Sequence, residues 1–106
     1  MTALRAFETT SAVPDHDQHS AVFTALSDPI RRAIVERLAK NGPMNVGDLS
    51  VPFSVSAPAI SRHLKVLELA GLVDRAVDRQ WRVCTLQIAA LVAARSWLDQ
   101  VLPAND

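Results

Sequence analysis

The chain is poor in the residues on which most protein chemistry depends. It has a single cysteine, Cys84, so no disulfide closes within it and no pair of thiolates holds a metal or cycles as a redox couple. Its three glycines stand apart from one another, and no glycine loop that cradles phosphates occurs. No nucleophile is spaced with a base and an orienting group in a recognisable pattern, so no enzyme is expected. No apolar run reaches the roughly 18 residues of a membrane span, and the opening MTALRAFETTSAVPDHDQHS lacks the continuous apolar core of an export signal. The expected compartment is the reducing cytoplasm. Eleven basic residues balance eleven acidic ones, so whole-chain charge selects no partner. A nucleic-acid function must rest on local clustering.

What is present is an ordinary globular balance over 106 residues, 49% apolar and 21% charged. That suits one domain, with a core large enough to fold alone or to finish in a dimer interface. Residues 1–19 read as a polar tail ahead of a domain over 20–102. The run Asp15-His16-Asp17-Gln18-His19 holds four ligand types close together, but neighbouring ligands on a flexible segment rarely hold a metal alone. No cofactor is expected.

Ser20 to Leu26 reads as a short helix with Val22, Phe23 and Leu26 on one side. Asp28-Pro29 then starts a longer one, with Asp28 as cap and Pro29 where a missing N–H costs nothing. Ile30, Ile34, Val35 and Leu38 fall on its inner face, leaving Arg31, Arg32 and Arg37 as a solvated face. Asn41-Gly42-Pro43 ends it. Asn45 caps a third, short helix that stops near Pro52, with Asp48 as its capping partner. Ser54-Val55-Ser56 is a turn. Ser56 caps a fourth helix, from about Ala57 to Ala70, in which Ile60, Leu64 and Leu67 make one buried stripe and Gly71 provides the stop. Leu72 to Val77 and Gln80 to Leu86 alternate as a β-hairpin. Its tip lacks Asn-Gly or Asp-Gly, so a loop longer than two residues is expected there. A final helix from Gln87 is apolar over more than one face and closes at Pro103.

Four helices, two strands and a last helix make a mainly α chain with a β-hairpin wing, the winged helix-turn-helix architecture. The second helix of its reading pair enters a DNA major groove. With Ile60, Leu64 and Leu67 turned inward, Ser56, Ala57, Ser61, Arg62, His63 and Lys65 are left on the flanks and outer face. Arg62 can fork onto a guanine edge or a phosphate, and the two serines suit either kind of acceptor. Lys65, one turn further on, suits a phosphate, as do Arg79 and Arg82 on the wing. Trp81, also on the wing, is expected to pack on the body. Between Ser54 and Arg82, five basic residues meet three acidic ones, a modest excess.

At SDPIRRAIVERL, SVSAPAISRHLKVLELAGLV and RVCTL the sequence resembles the ArsR-type winged-helix repressors, in particular the subgroup without a metal site. The resemblance runs from about Val22 to Leu98, and SRHLKVLELAGLV is its most specific part. It implies a homodimeric regulator, usually a repressor, that dimerises through its first and last helices and blocks transcription from an inverted-repeat operator. On this chain the implied interface is Val22, Phe23 and Leu26 with Leu91, Ala94, Leu98 and Val101. Two departures matter. Ala57 stands where such proteins commonly carry Gln or Arg, so it offers a base only an apolar contact. The cysteine and histidine ligands of metal-sensing members are absent from NVGDLSVPF and from the last helix. Two other readings stay open: a winged helix used for protein docking, and a repressor responsive to redox state or small molecules through Cys84 or the dimer seam. A buried, inert Cys84 is the expectation.

Overall fold

The computed structural model describes residues 17–104. Five helices and a three-stranded sheet follow in the order α1 (Gln18–Ala25), α2 (Pro29–Asn41), β1 (Met44–Asn45), α3 (Val46–Ser50), α4 (Ala57–Leu69), β2 (Val73–Asp78), β3 (Trp81–Leu86) and α5 (Ile88–Val101). Asp15 and His16 of the histidine-rich run lie outside the described residues.

Four of the five helices start where a side chain satisfies orphan backbone donors, α5 being the exception. Asp17 accepts from the Ser20 N–H, so α1 begins at Gln18, two residues before the sequence suggests, and takes Gln18 and His19 out of the expected tail. Asp28 accepts from the N–H groups of Ile30 and Arg31 at 2.9 and 3.1 Å. Chiefly the Arg31 N–H, against some desolvation and then with Ile30, holds its carboxyl below the usual carboxylate range. Asn45 receives the Asp48 N–H at 2.8 Å and donates its amide to the Asp48 carboxylate at 3.1 Å. Ser56 accepts from the Ala59 N–H.

Helix α4 ends as a Schellman motif. The Leu72 N–H bonds the Leu67 carbonyl and the Gly71 N–H bonds the Glu68 carbonyl, with Gly71 at φ 78°. Leu67 and Leu72 are both fully buried, supplying the apolar contact that accompanies this ending.

The core is one cluster fed by every helix and by the sheet: Val22 and Ala25, Ile34, Val35 and Leu38, Leu49, Ile60, Leu64 and Leu67, Leu72, Val73 and Cys84, and Ala90 and Ala94. Burying a leucine such as Leu64 contributes about 1.5–3 kcal/mol. Val22 and Ala94, expected at the dimer seam, instead belong to this core. They are 0% and 6% exposed within one chain and have no surface to offer a second copy. Leu26 and Leu91 are half-buried and also pack against this core.

The sheet order is β1-β3-β2, antiparallel throughout. Strand β1 is too short to read from sequence, yet Met44 pairs with Cys84 and Asn45 with Val83, which pins the reading pair to the wing. In the hairpin Asp78 pairs with Trp81, leaving only Arg79 and Gln80 in the turn. The expected longer loop is thus a two-residue turn. Arg79 takes the positive φ, 62°, that such a turn requires and that glycine normally supplies. Replacing Arg79 with Gly should relieve about 1 kcal/mol of backbone strain and raise the melting temperature by about 4–8 °C. A calorimetric scan checks this.

Candidate nucleic-acid interface

Ile60, Leu64 and Leu67 fix the roll of α4 by turning one stripe into the core. The opposite stripe, at spacings of three and four, is Pro58, Ser61, Arg62, Lys65 and Leu69, all exposed. Ser56 and Ala57 are exposed at the helix entry. The Ser56 oxygen accepts the capping bond, leaving its O–H free to donate outward. Arg62 and Lys65 form no ion pair or hydrogen bond with any described residue. Leu69, 75% exposed, extends the stripe and is a residue that the sequence reading missed.

His63 departs from its expected position. It lies on the flank that meets α2, with its side chain 19% exposed. Its Nδ1 sits 3.3 Å from Nη1 of Arg31 and 3.9 Å from Oδ2 of Asp28. With Nδ1 turned toward Arg31 and Asp28, the imidazole lies on the flank of α4 and not on its exposed stripe.

The arginines of α2 also differ from a solvated face. Arg31 donates through Nε to the Ala25 carbonyl at 2.7 Å and through Nη2 to the Thr24 carbonyl at 3.2 Å. Arg32 donates to the Leu26 carbonyl at 2.8 Å. Together they complete the C-terminus of α1, where cations suit the helix dipole. Arg37 reaches the Asp48 carbonyl at 3.3 Å and links α2 to α3. These bonds run between different elements, so the periodicity within one helix gives no sign of them.

On the wing, Arg79 and Arg82 are exposed. Strand alternation and register put Arg75, Val77 and Arg82 on the face that carries buried Cys84, with Asp74, Asp78 and Trp81 on the other. Arg75 is held by Glu68 at 2.9 Å, a bond that ties the wing to α4. The positive charge free for a polyanion is therefore Arg62, Lys65, Arg79 and Arg82, while two of the nearby acids face away from Arg82. Trp81 is 52% exposed, not packed on the body as the sequence suggests. Cys84 is fully buried on β3, and desolvation pushes its thiol pKa up, away from reactive thiolate.

A short capped helix, a turn, a polar-faced helix set by an apolar stripe and a two-stranded wing with cations define a winged helix-turn-helix regulator, a DNA-binding class. Comparison with known proteins carries this further. The pattern of the bacterial regulatory protein arsR family matches residues 28–75. The chain is 52% identical over 79 residues to the HTH-type transcriptional regulator Rv2034 of Mycobacterium tuberculosis, covering 74% of this chain and 72% of that protein. It is 36% identical over 85 residues to the transcriptional repressor SdpR of Bacillus subtilis, covering 80% and 93%. Among solved structures, the ArsR family transcriptional regulator RHA00566 superposes with a TM-score of 0.75 at 32% identity, over 79% of this chain and 91% of that one. The chain belongs to the ArsR family of bacterial transcriptional regulators. That family consists of DNA-binding proteins, not enzymes. No helix among the described residues is long and apolar enough to cross a membrane.

Proposed function

We propose that this chain is a homodimeric, cytoplasmic repressor that binds an inverted-repeat operator and blocks transcription from it. In this reading α4 of each copy enters the major groove, the two grooves about 34 Å apart along one face of the duplex. Arg62, Ser61 and Ser56 read base edges, Ala57 offers an apolar contact, and Lys65, Arg79 and Arg82 hold phosphates. The observation that carries it is the exposed stripe of Ser61, Arg62 and Lys65 directly opposite the buried Ile60, Leu64 and Leu67. A protein-docking helix would present an apolar centre there.

The pairing surface in this reading is α5 with α1. Ile88, Val92, Leu98 and Val101 on α5, and Leu102 just beyond it, are exposed large apolar residues, as is Phe23 on α1. Phe23 meets Trp97 edge-on with ring centroids 5.6 Å apart, and both remain over a third exposed. Monomers rarely leave so much contiguous apolar surface in water. In this reading Phe23, Leu98 and Val101 form the pairing surface expected of them, Trp97 adds to it, and Val22 and Ala94 lie behind.

The test is selection of bound duplex from a random DNA pool at stated salt, with and without dithiothreitol and zinc. The expected result is one enriched inverted repeat, unchanged by either additive. Enrichment of nothing would favour the docking reading, and dependence on dithiothreitol would assign Cys84 a redox role.

A further inference from the structure

Three elements meet at Arg31, and only one of them reads DNA. Its guanidinium donates to the Ala25 and Thr24 carbonyls at the end of α1, while its backbone N–H is capped by Asp28 at the start of α2. The remaining nitrogen, Nη1, faces Nδ1 of His63 on α4. A guanidinium can only donate, so Nδ1 must accept, which assigns the proton of neutral His63 to Nε2. The charged groups facing this imidazole from α2 and its cap are Arg31 and Asp28, and α1 contributes only carbonyls.

Ile60, Leu64 and Leu67 fix the roll of α4 against the core but offer no directional bond to α1 or α2. The Arg31–His63 bond is directional, and both side chains are partly buried, so the tilt of α4 is referred to the ends of α1 and α2. Helix α1 carries Phe23, which packs on Trp97 of α5. A continuous chain of contacts thus runs from α5 through Phe23 and the α1 carbonyls to Arg31 and the middle of α4.

We infer that the Arg31–His63 contact is the strut that sets the angle of the reading helix, so that His63 governs DNA affinity as a positioning residue without touching DNA. This rests on α4 being the reading helix, and the test uses the duplex enriched by the unaltered protein, so failure of that reading is seen before any variant is made. The full-length protein is compared with His63→Leu, which removes the acceptor, and His63→Asn, whose Oδ1 sits where Nδ1 does. Affinity is measured by anisotropy across a salt series, with a melting temperature for each variant.

His63→Leu should bind about tenfold more weakly with a melting temperature close to that of the unaltered protein. His63→Asn should recover most of the affinity. The slope of log affinity against log salt should be the same for all three, because no phosphate contact is lost. A slope smaller by about 0.9 in both variants would instead make His63 a phosphate ligand and overturn the strut. Equal affinity of His63→Leu and the unaltered protein would overturn it too, as would failure of His63→Asn to recover binding.

Discussion

Changing Arg62 to Ala is expected to cost about 1–3 kcal/mol of specific DNA binding, roughly 5- to 150-fold in affinity. Arg62 sits on the α4 face opposite the core stripe, is exposed, and has no described partner to lose. Truncating it leaves the fold intact, so circular dichroism and melting should be unchanged while binding falls. Its five donors in a planar fork can meet guanine O6 and N7 together, which Ser61 and Lys65 cannot do. The salt series separates two roles. If Arg62 reads a base, affinity drops at one operator position and the slope stays fixed. If it holds a phosphate, every sequence weakens alike and the slope falls by about 0.9. Unchanged affinity in the anisotropy titration would remove Arg62 from the interface.

The same residue shows why the reading face is legible in the sequence. Ile60, Leu64 and Leu67 fix one side of α4 by spacing alone, and geometry then dictates the opposite side. The caps at Asp28, Asn45 and Ser56 were legible for a similar reason, because the orphan donors of a helix start are satisfied by residues two or three positions away. What escaped was long-range. His63 lies only one position from Arg62, and a helical wheel cannot tell a solvated flank from one pressed against Arg31, 32 residues earlier. Arg31, Arg32 and Arg37 read as solvated because charge normally means surface, yet each donates to a backbone carbonyl outside its own helix. The two-residue turn at Arg79 was missed because its chemistry is wrong for its shape. Strand pairing between Asp78 and Trp81 overrides the preference for glycine at positive φ. On α5, Ala94 was assigned to the dimer seam and belongs to the core. A helix apolar all round gives no signal of which side faces its own chain, and the small side chains turn out to be the ones that let α1 approach.

That division of α5 sets up the largest expected effect. Replacing Leu98 and Val101 together with Glu should convert the proposed dimer to monomers, with a dimer dissociation constant raised by about four orders of magnitude. Both residues are substantially exposed in one chain, at 44% and 61%, so the charges cost the isolated fold little. Across a twofold interface each change is felt in both copies. At about 1.5 kcal/mol for each apolar side chain no longer buried, the two changes remove about 6 kcal/mol. Facing carboxylates add repulsion. The consequence for DNA follows from linkage of the two reading heads. Once the first α4 is bound, the second meets its half-site at a high effective concentration, which contributes about 10²- to 10⁴-fold to the affinity. Monomers forfeit this, although Arg62, Lys65 and the wing are untouched. Sedimentation should therefore show a monomer with native circular dichroism, and operator affinity should fall toward the level of non-specific binding. Val51→Glu, an exposed apolar residue at the end of α3 and away from α5, adds the same kind of charge and should leave the dimer whole. A double variant that still sediments as a dimer would move the pairing surface off α5 and leave its apolar face to some other partner.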